Sequence, residues 1–237
     1  SSFIRCETAS SHGGAIFFDK KTLSAKIDRC LFQKCVTKKS GGAFYAIINN
    51  MTVTRTCFDH CQALESGHSF FLNLNARLYT ANFSEISITK CAKAHKPTGK
   101  AAGLFLAGIY RIQHLNCTEN NALALCAAFG SLSSTNFTIT FSEFAGCSSM
   151  NILRFLDLNQ SLVIGFCNFI NNKATVSLIQ SSSRNIILNS VFINNEVSSI
   201  CTGLVTYLQM SDCVMDQNYS FYGLTYLRTP GLFITKE

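Results

Sequence analysis

The densest grouping of side chains able to do chemistry is Cys57-x-x-His60-Cys61, with Cys30 and Cys35 upstream. Thiolates and imidazole are good zinc ligands, but structural zinc sites draw on regularly spaced Cys-x2-4-Cys pairs, which this set lacks. Because Cys57 and Cys61 continue interior columns, a structural role is expected and no metal is assigned. The second grouping is Lys90-Cys91-Ala92-Lys93-Ala94-His95-Lys96-Pro97-Thr98-Gly99-Lys100. Pro97 and Gly99 set a turn, and Lys90, Lys93, His95, Lys96 and Lys100 make it a candidate contact for an anionic partner. The six Asp and seven Glu are dispersed, so no carboxylate pair for acid–base work is legible, and no catalytic or cofactor-binding residue is assigned. Neither a phosphate loop nor a Ser-His-Asp arrangement is present, and nucleic acid is not an expected partner.

The elements that must hold these residues follow from a phased repeat. The apolar anchors Phe3, Phe32, Phe58, Ile88, Cys117, Phe144, Phe169, Phe192 and Met215 lie 29, 26, 30, 29, 27, 25, 23 and 23 residues apart. Three residues beyond them come Cys6, Cys35, Cys61, Cys91, Asn120, Cys147, Asn172, Asn195 and Asn218. Self-similarity at this period marks a solenoid whose coils bury a shared core only by stacking.

Five residues before the anchors runs an all-apolar column: Ile27, Val53, Phe83, Ile112, Ile139, Ile164, Ile187 and Met210. Two residues earlier stand Ala25, Met51, Ala81, Tyr110, Phe137, Leu162, Asn185 and Leu208, and the residues between are mostly polar. That alternation is the period of a half-buried strand. Gly13-Gly14-Ala15-Ile16 and Gly41-Gly42-Ala43-Phe44 open a further strand, since Gly permits tight turns and close approach of coils. The expectation is an all-β chain: a right-handed parallel β-helix of about nine coils, forming one domain over 1–237. In the Cys/Asn column, Asn would satisfy buried backbone groups, whereas Cys would avoid presenting polar atoms.

Composition agrees. Of 237 residues 47% are hydrophobic and 14% charged, ample to build a core, and no run of 18 apolar residues could span a membrane. The net charge of +7 is uneven: residues 1–111 carry 15 Lys/Arg against 6 Asp/Glu, and residues 112–237 carry 5 against 7. An acidic partner therefore fits the first coils best. Twelve Cys would suggest disulfides in a secreted chain, yet their exchange with Asn, Ser and Thr between coils favours buried thiols. The chain opens within a repeat and stops without an evident cap, as expected of a segment from a longer polypeptide; membrane attachment would then come only from other regions.

Phe169-Ile170-Asn171-Asn172, Phe192-Ile193-Asn194-Asn195 and the two Gly-Gly-Ala motifs resemble the repeat of the polymorphic outer-membrane proteins of chlamydiae and related surface proteins of eukaryotic microbes. The resemblance implies a parallel β-helix at the cell surface or outside the cell. It further implies a non-catalytic adhesion or recognition role toward a host or neighbouring-cell surface protein or an acidic glycan. Two departures stand out: only two Gly-Gly-Ala copies are intact, and no anchoring barrel is present. The alternative on the same fold is a polysaccharide-active lyase or hydrolase. A leucine-rich repeat shares the core spacing but would require helices. Sequons occur at Asn50, Asn82, Asn116, Asn136, Asn159 and Asn218; Asn218 falls in the interior column and is expected to be a poor acceptor.

Overall fold

The computed structural model describes residues 1–19, 23–91, 100–132, 136–156, 161–203, 207–221, 227–228, 231 and 233–234. Among them there is no helix, which removes the leucine-rich alternative. The strands stack in parallel as a β-solenoid of about seven turns. They form a 16-stranded, a 9-stranded and a 3-stranded sheet. Among the described residues no helix is long and apolar enough to cross a membrane.

The coil-to-coil register follows the sequence columns. Phe3 pairs with Phe32, Phe32 with Phe58, Phe58 with Ile88, Ile88 with Cys117, and Cys117 with Phe144. The series continues through Phe169 and Phe192 to Met215, and then to Ile234, a member the spacing did not reveal. The second column also runs unbroken from Ile27 to Met210. In-register parallel pairing places like residues about 4.8 Å apart, close to the face-to-face distance of aromatic rings. Phe3 and Phe32 accordingly stack at 4.8 Å, Phe32 and Phe58 at 5.2 Å, Phe144 and Phe169 at 4.9 Å, and Phe169 and Phe192 at 5.0 Å. A fully buried Phe contributes about 1.5–3 kcal/mol, so these columns are the main source of cohesion.

The Gly-Gly-Ala motifs turn the chain into the nine-stranded sheet. Gly41 has φ of +77°, and a Cβ on Gly42 would run into the His68 carbonyl of the next coil. In the third coil buried His68 takes the second glycine's place and accepts the Ala63 N–H at Nδ1 (3.2 Å).

The Cys/Asn column behaves differently from the expectation for Cys. Both residue types donate to the anchor carbonyl one coil back. Cys35 Sγ reaches the Phe3 oxygen (3.4 Å), Cys61 that of Phe32 (3.5 Å), Cys91 that of Phe58 (3.7 Å) and Cys147 that of Cys117 (3.4 Å). Asn120, Asn172 and Asn195 do the same to Ile88, Phe144 and Phe169, each at 2.8 Å. The thiol is thus a weaker version of the amide, satisfying a carbonyl that the bend leaves under-bonded. Asn218 leaves this column. Asn218 is exposed, Tyr219 is buried, and Gln217 Nε2 donates to the Asn195 carbonyl (3.1 Å) and not to the anchor Phe192.

Candidate functional site

Each coil of the large sheet is bent twice, and the bends are where the surface carries unusual residues. The residue at the apex takes a left-handed conformation, a region that costs a non-glycine residue about 1–2 kcal/mol. The first bend holds Arg29, Arg55, Glu85, His114, Phe141, Phe166, Asn189 and Asp212, with φ between 47° and 56°. The second holds Arg5, Lys34, His60, Lys90, Glu119, Asn171 and Asn194 with φ between 51° and 55°, and Gly146 with φ of 61°. Side chains just inside the bends offset part of that cost. Thr56 Oγ1, Ser142 Oγ and Ser190 Oγ each donate at 2.8 Å to the carbonyl two residues back, bridging the apex. Cys167 Sγ does likewise to Gly165 (3.3 Å).

Stacking turns each bend into an outward ladder. The second bend lines up Arg5, Lys34, His60 and Lys90, a cation or imidazole in each of four successive coils, about 4.8 Å from rung to rung. Arg5, Lys34 and His60 are exposed and Lys90 is half-buried. The neighbouring acids are engaged. Asp59 accepts from Gln33 Nε2 (2.9 Å) and lies against His60 Nδ1 (2.6 Å). Burial opposes ionisation of Asp59, but those two hydrogen bonds outweigh it and lower its pKa. Asp28 is held by Thr54 Oγ1 (2.8 Å) and the fork of Arg55, and its pKa is likewise lowered, chiefly by Thr54. Lys90 is loosely paired with Glu119 (3.8 Å). Exposed Arg5, Arg29 and Lys34 have no carboxylate partner among the described residues, although exposed Glu7 follows Arg5 by two positions.

The first bend carries an aromatic ladder further along. His114 and Phe141 stack at 5.4 Å, and Phe141 and Phe166 at 5.0 Å with ring planes 12° apart. Phe141 is 51% and Phe166 52% exposed, so an apolar stripe lies on the surface at a backbone conformation that bulky residues rarely adopt.

Of the candidate anion-contacting residues, Lys90 belongs to the cationic ladder. Lys100 is exposed and leads into the strand Ala101–Leu106 of the nine-stranded sheet, so the two sit on different sheets. Lys93, His95 and Lys96 lie outside the described residues. The Cys/His grouping does not converge. Cys57 pairs with Leu31 at a half-buried outward position, not in an interior column, and its pKa is raised by burial and then by Asp59. His60 points out at the bend, while Cys61 points in. Cys30 faces the core opposite Thr56 rather than Cys57, since Leu31 pairs with Cys57. Among the described residues no group of three His, Cys, Asp or Glu is placed to hold a metal.

The ladders escaped the sequence columns because apex residues differ in type from coil to coil. Two signals were available: a basic residue precedes four column cysteines (Arg5, Lys34, His60, Lys90), and Phe141 and Phe166 keep the 25-residue spacing of Phe144 and Phe169.

Compared with known proteins, the chain matches no family model, no curated protein and no solved structure.

Proposed function

We propose that this chain is a non-catalytic recognition module, displayed at a cell surface, that binds an acidic glycan along the cationic ladder of its first coils. The observation that carries this reading is the set Arg5, Arg29 and Lys34. These are exposed cations fixed at bend apices, Arg5 and Lys34 one coil apart on the second bend and Arg29 on the first bend five residues before Lys34, without a carboxylate partner among the described residues. Backbone conformation that favours Gly or Asn is instead given to Arg and Lys, which suits presentation of charge rather than economy of folding. A rigid row of cations at coil spacing favours a linear polyanion whose charges recur along its length, because each rung then meets one charge without reordering the protein. The likeness of the Phe-x-x-Asn and Gly-Gly-Ala motifs to surface-displayed repeats points the same way.

The test is retention on immobilised heparin at low salt. The variant Arg5→Ser/Arg29→Ser/Lys34→Ser loses retention, while Lys93→Ser/Lys96→Ser/Lys100→Ser keeps most of it. Loss only in the second variant moves the contact to the lysine-rich segment. Unchanged retention in both removes glycan binding by these cations, and preference for anionic phospholipid vesicles over heparin replaces the glycan with a membrane surface.

A further inference from the structure

The solenoid carries four consecutive coils with a thiol in one interior column: Cys6, Cys35, Cys61 and Cys91. All four are free thiols, with Cys6 half-buried and the other three buried. The column is locked in register. Ile4 pairs with Gln33 and Glu7 with Val36, which leaves Cys6 directly beside Cys35. Gln33 pairs with Asp59 and Val36 with Gln62, which sets Cys35 beside Cys61. Neighbouring strands at about 4.8 Å lie inside the Cα range a disulfide accepts.

We infer that Cys6 and Cys35 form a thiol–disulfide exchange site, in which half-buried Cys6 meets a small disulfide and buried Cys35 resolves the adduct into a bond between the first two coils. The division of labour follows from access. A disulfide such as oxidised glutathione cannot reach buried Cys35, whereas half-buried Cys6 is partly open to solvent. In the first step the Cys6 thiolate, having given its proton to solvent, attacks one sulfur of the oxidant. The Cys6–glutathione bond forms, the oxidant's S–S bond breaks, and one glutathione thiolate leaves. In the second step the Cys35 thiolate attacks Cys6 Sγ, the mixed disulfide breaks, and the second glutathione leaves. Two protein thiols are oxidised by two electrons, and one oxidised glutathione is reduced to two thiols.

The environments suit these roles. Hydrogen bonding from Cys61, and then from the Cys6 backbone and side chain, brings the Cys35 thiol down to about 7, against the opposing effect of burial. A resolving thiol near ambient pH is ionised often enough to act. Burial, followed by the neighbouring Cys35, raises the Cys6 thiol, which makes the entry step the slow one.

The experiment incubates the reduced 237-residue chain with oxidised glutathione, quenches with iodoacetamide and maps the peptides by mass spectrometry. The wild type gives a Cys6–Cys35 crosslink. Cys35→Ser accumulates a glutathione adduct on Cys6 that the wild type resolves, and Cys6→Ser keeps Cys35 reduced and alkylatable after unfolding. Oxidation of Cys35 in Cys6→Ser at the wild-type rate overturns the inference, as does a first crosslink mapped to Cys35–Cys61. Should Cys35→Ser fail to fold, the Cys6→Ser variant alone decides, because its half-buried site tolerates the change.

Discussion

Asn195 Oδ1 accepts two hydrogen bonds from Asn172, one from the backbone N–H (3.1 Å) and one from the side-chain amide (3.0 Å). Asn172 Oδ1 in turn accepts the Cys147 N–H (3.0 Å), and Asn120 Oδ1 accepts that of Cys91 (2.8 Å). The column is a ladder in which each Asn donates one coil back to an anchor carbonyl and accepts from the residue beside it. Removing a member leaves buried groups of the preceding coil without partners, at about 1–3 kcal/mol for each. Asn195→Ala therefore lowers unfolding free energy in urea by about 3 kcal/mol. Asn195→Cys costs less than half of that, because Cys35, Cys61, Cys91 and Cys147 make the same backward bond. Equal losses would mean that shape alone governs the column.

The aromatic column is a matter of volume. Phe169 lies between Phe144 and Phe192 at 4.9 and 5.0 Å and is fully buried. Phe169→Ala or Phe192→Ala costs about 3–5 kcal/mol by leaving a cavity between coils that cannot close on both neighbours. Cys167→Ser costs far less, since its donation to the Gly165 carbonyl passes to the hydroxyl, as at Ser142 and Ser190.

Two buried thiols set an alkaline limit on stability. Burial pushes Cys201 up to about 12 and Cys167 up to about 11, from an ordinary 9.0. Above pH 9 the unfolded chain releases these protons before the folded chain does, so the folded state binds more protons and stability falls as pH rises. The loss approaches about 1.4 kcal/mol per pH unit for each thiol within that window. Urea midpoints between pH 8 and 10.5 register it, and Cys201→Ala flattens the slope. A rise in stability over that range would contradict the burial of both groups.

Register was legible in the sequence because it depends on spacing, and spacing survives changes of residue type. Phe58, Ile88, Cys117 and Phe144 differ chemically yet fall in one column because each lies a full coil from the next. Side-chain direction at the bends was not legible. Strand alternation places Cys57 outward, but the left-handed apex at His60 resets the phase so that Cys61 faces inward. Reading Cys57 together with Cys61 as a continuation of the interior columns therefore misplaces Cys57. Asn218 was misread as well: buried Tyr219 faces the core in its coil, and the sequon at Asn218 is exposed along with those at Asn82, Asn116 and Asn136, whereas Asn50 is half-buried and Asn159 lies outside the described residues. The cationic ladder could not be ranked from sequence, because whether Arg5 or Arg55 is free depends on Asp28 reaching Arg55 across a coil.

The exposed rings pose a question of balance. Phe141 has φ of 50° and stacks between His114 and Phe166. Its left-handed backbone costs about 1–2 kcal/mol, and its two ring contacts return about 0.5–1.5 kcal/mol each. Phe141→Asn removes both effects, since Asn tolerates this conformation, and stability moves by less than about 1 kcal/mol. A loss above about 3 kcal/mol would make the aromatic ladder a structural brace.

Binding through the cationic ladder has a distinctive dependence on salt. Arg5, Arg29 and Lys34 are exposed, so their attraction for a polyanion acts through water and is screened over about 10 Å at 0.1 M salt and 3 Å at 1 M. Heparin retention accordingly falls steeply between these limits. Each cation removed lowers the eluting salt concentration, because each contributes its own attraction to the polyanion. Arg55→Ser shifts elution least, its guanidinium being already committed to Asp28 at 2.8 and 2.9 Å. An Arg55→Ser variant that loses as much retention as Lys34→Ser would show that the ion pair opens on binding, and the ladder would then extend across both bends.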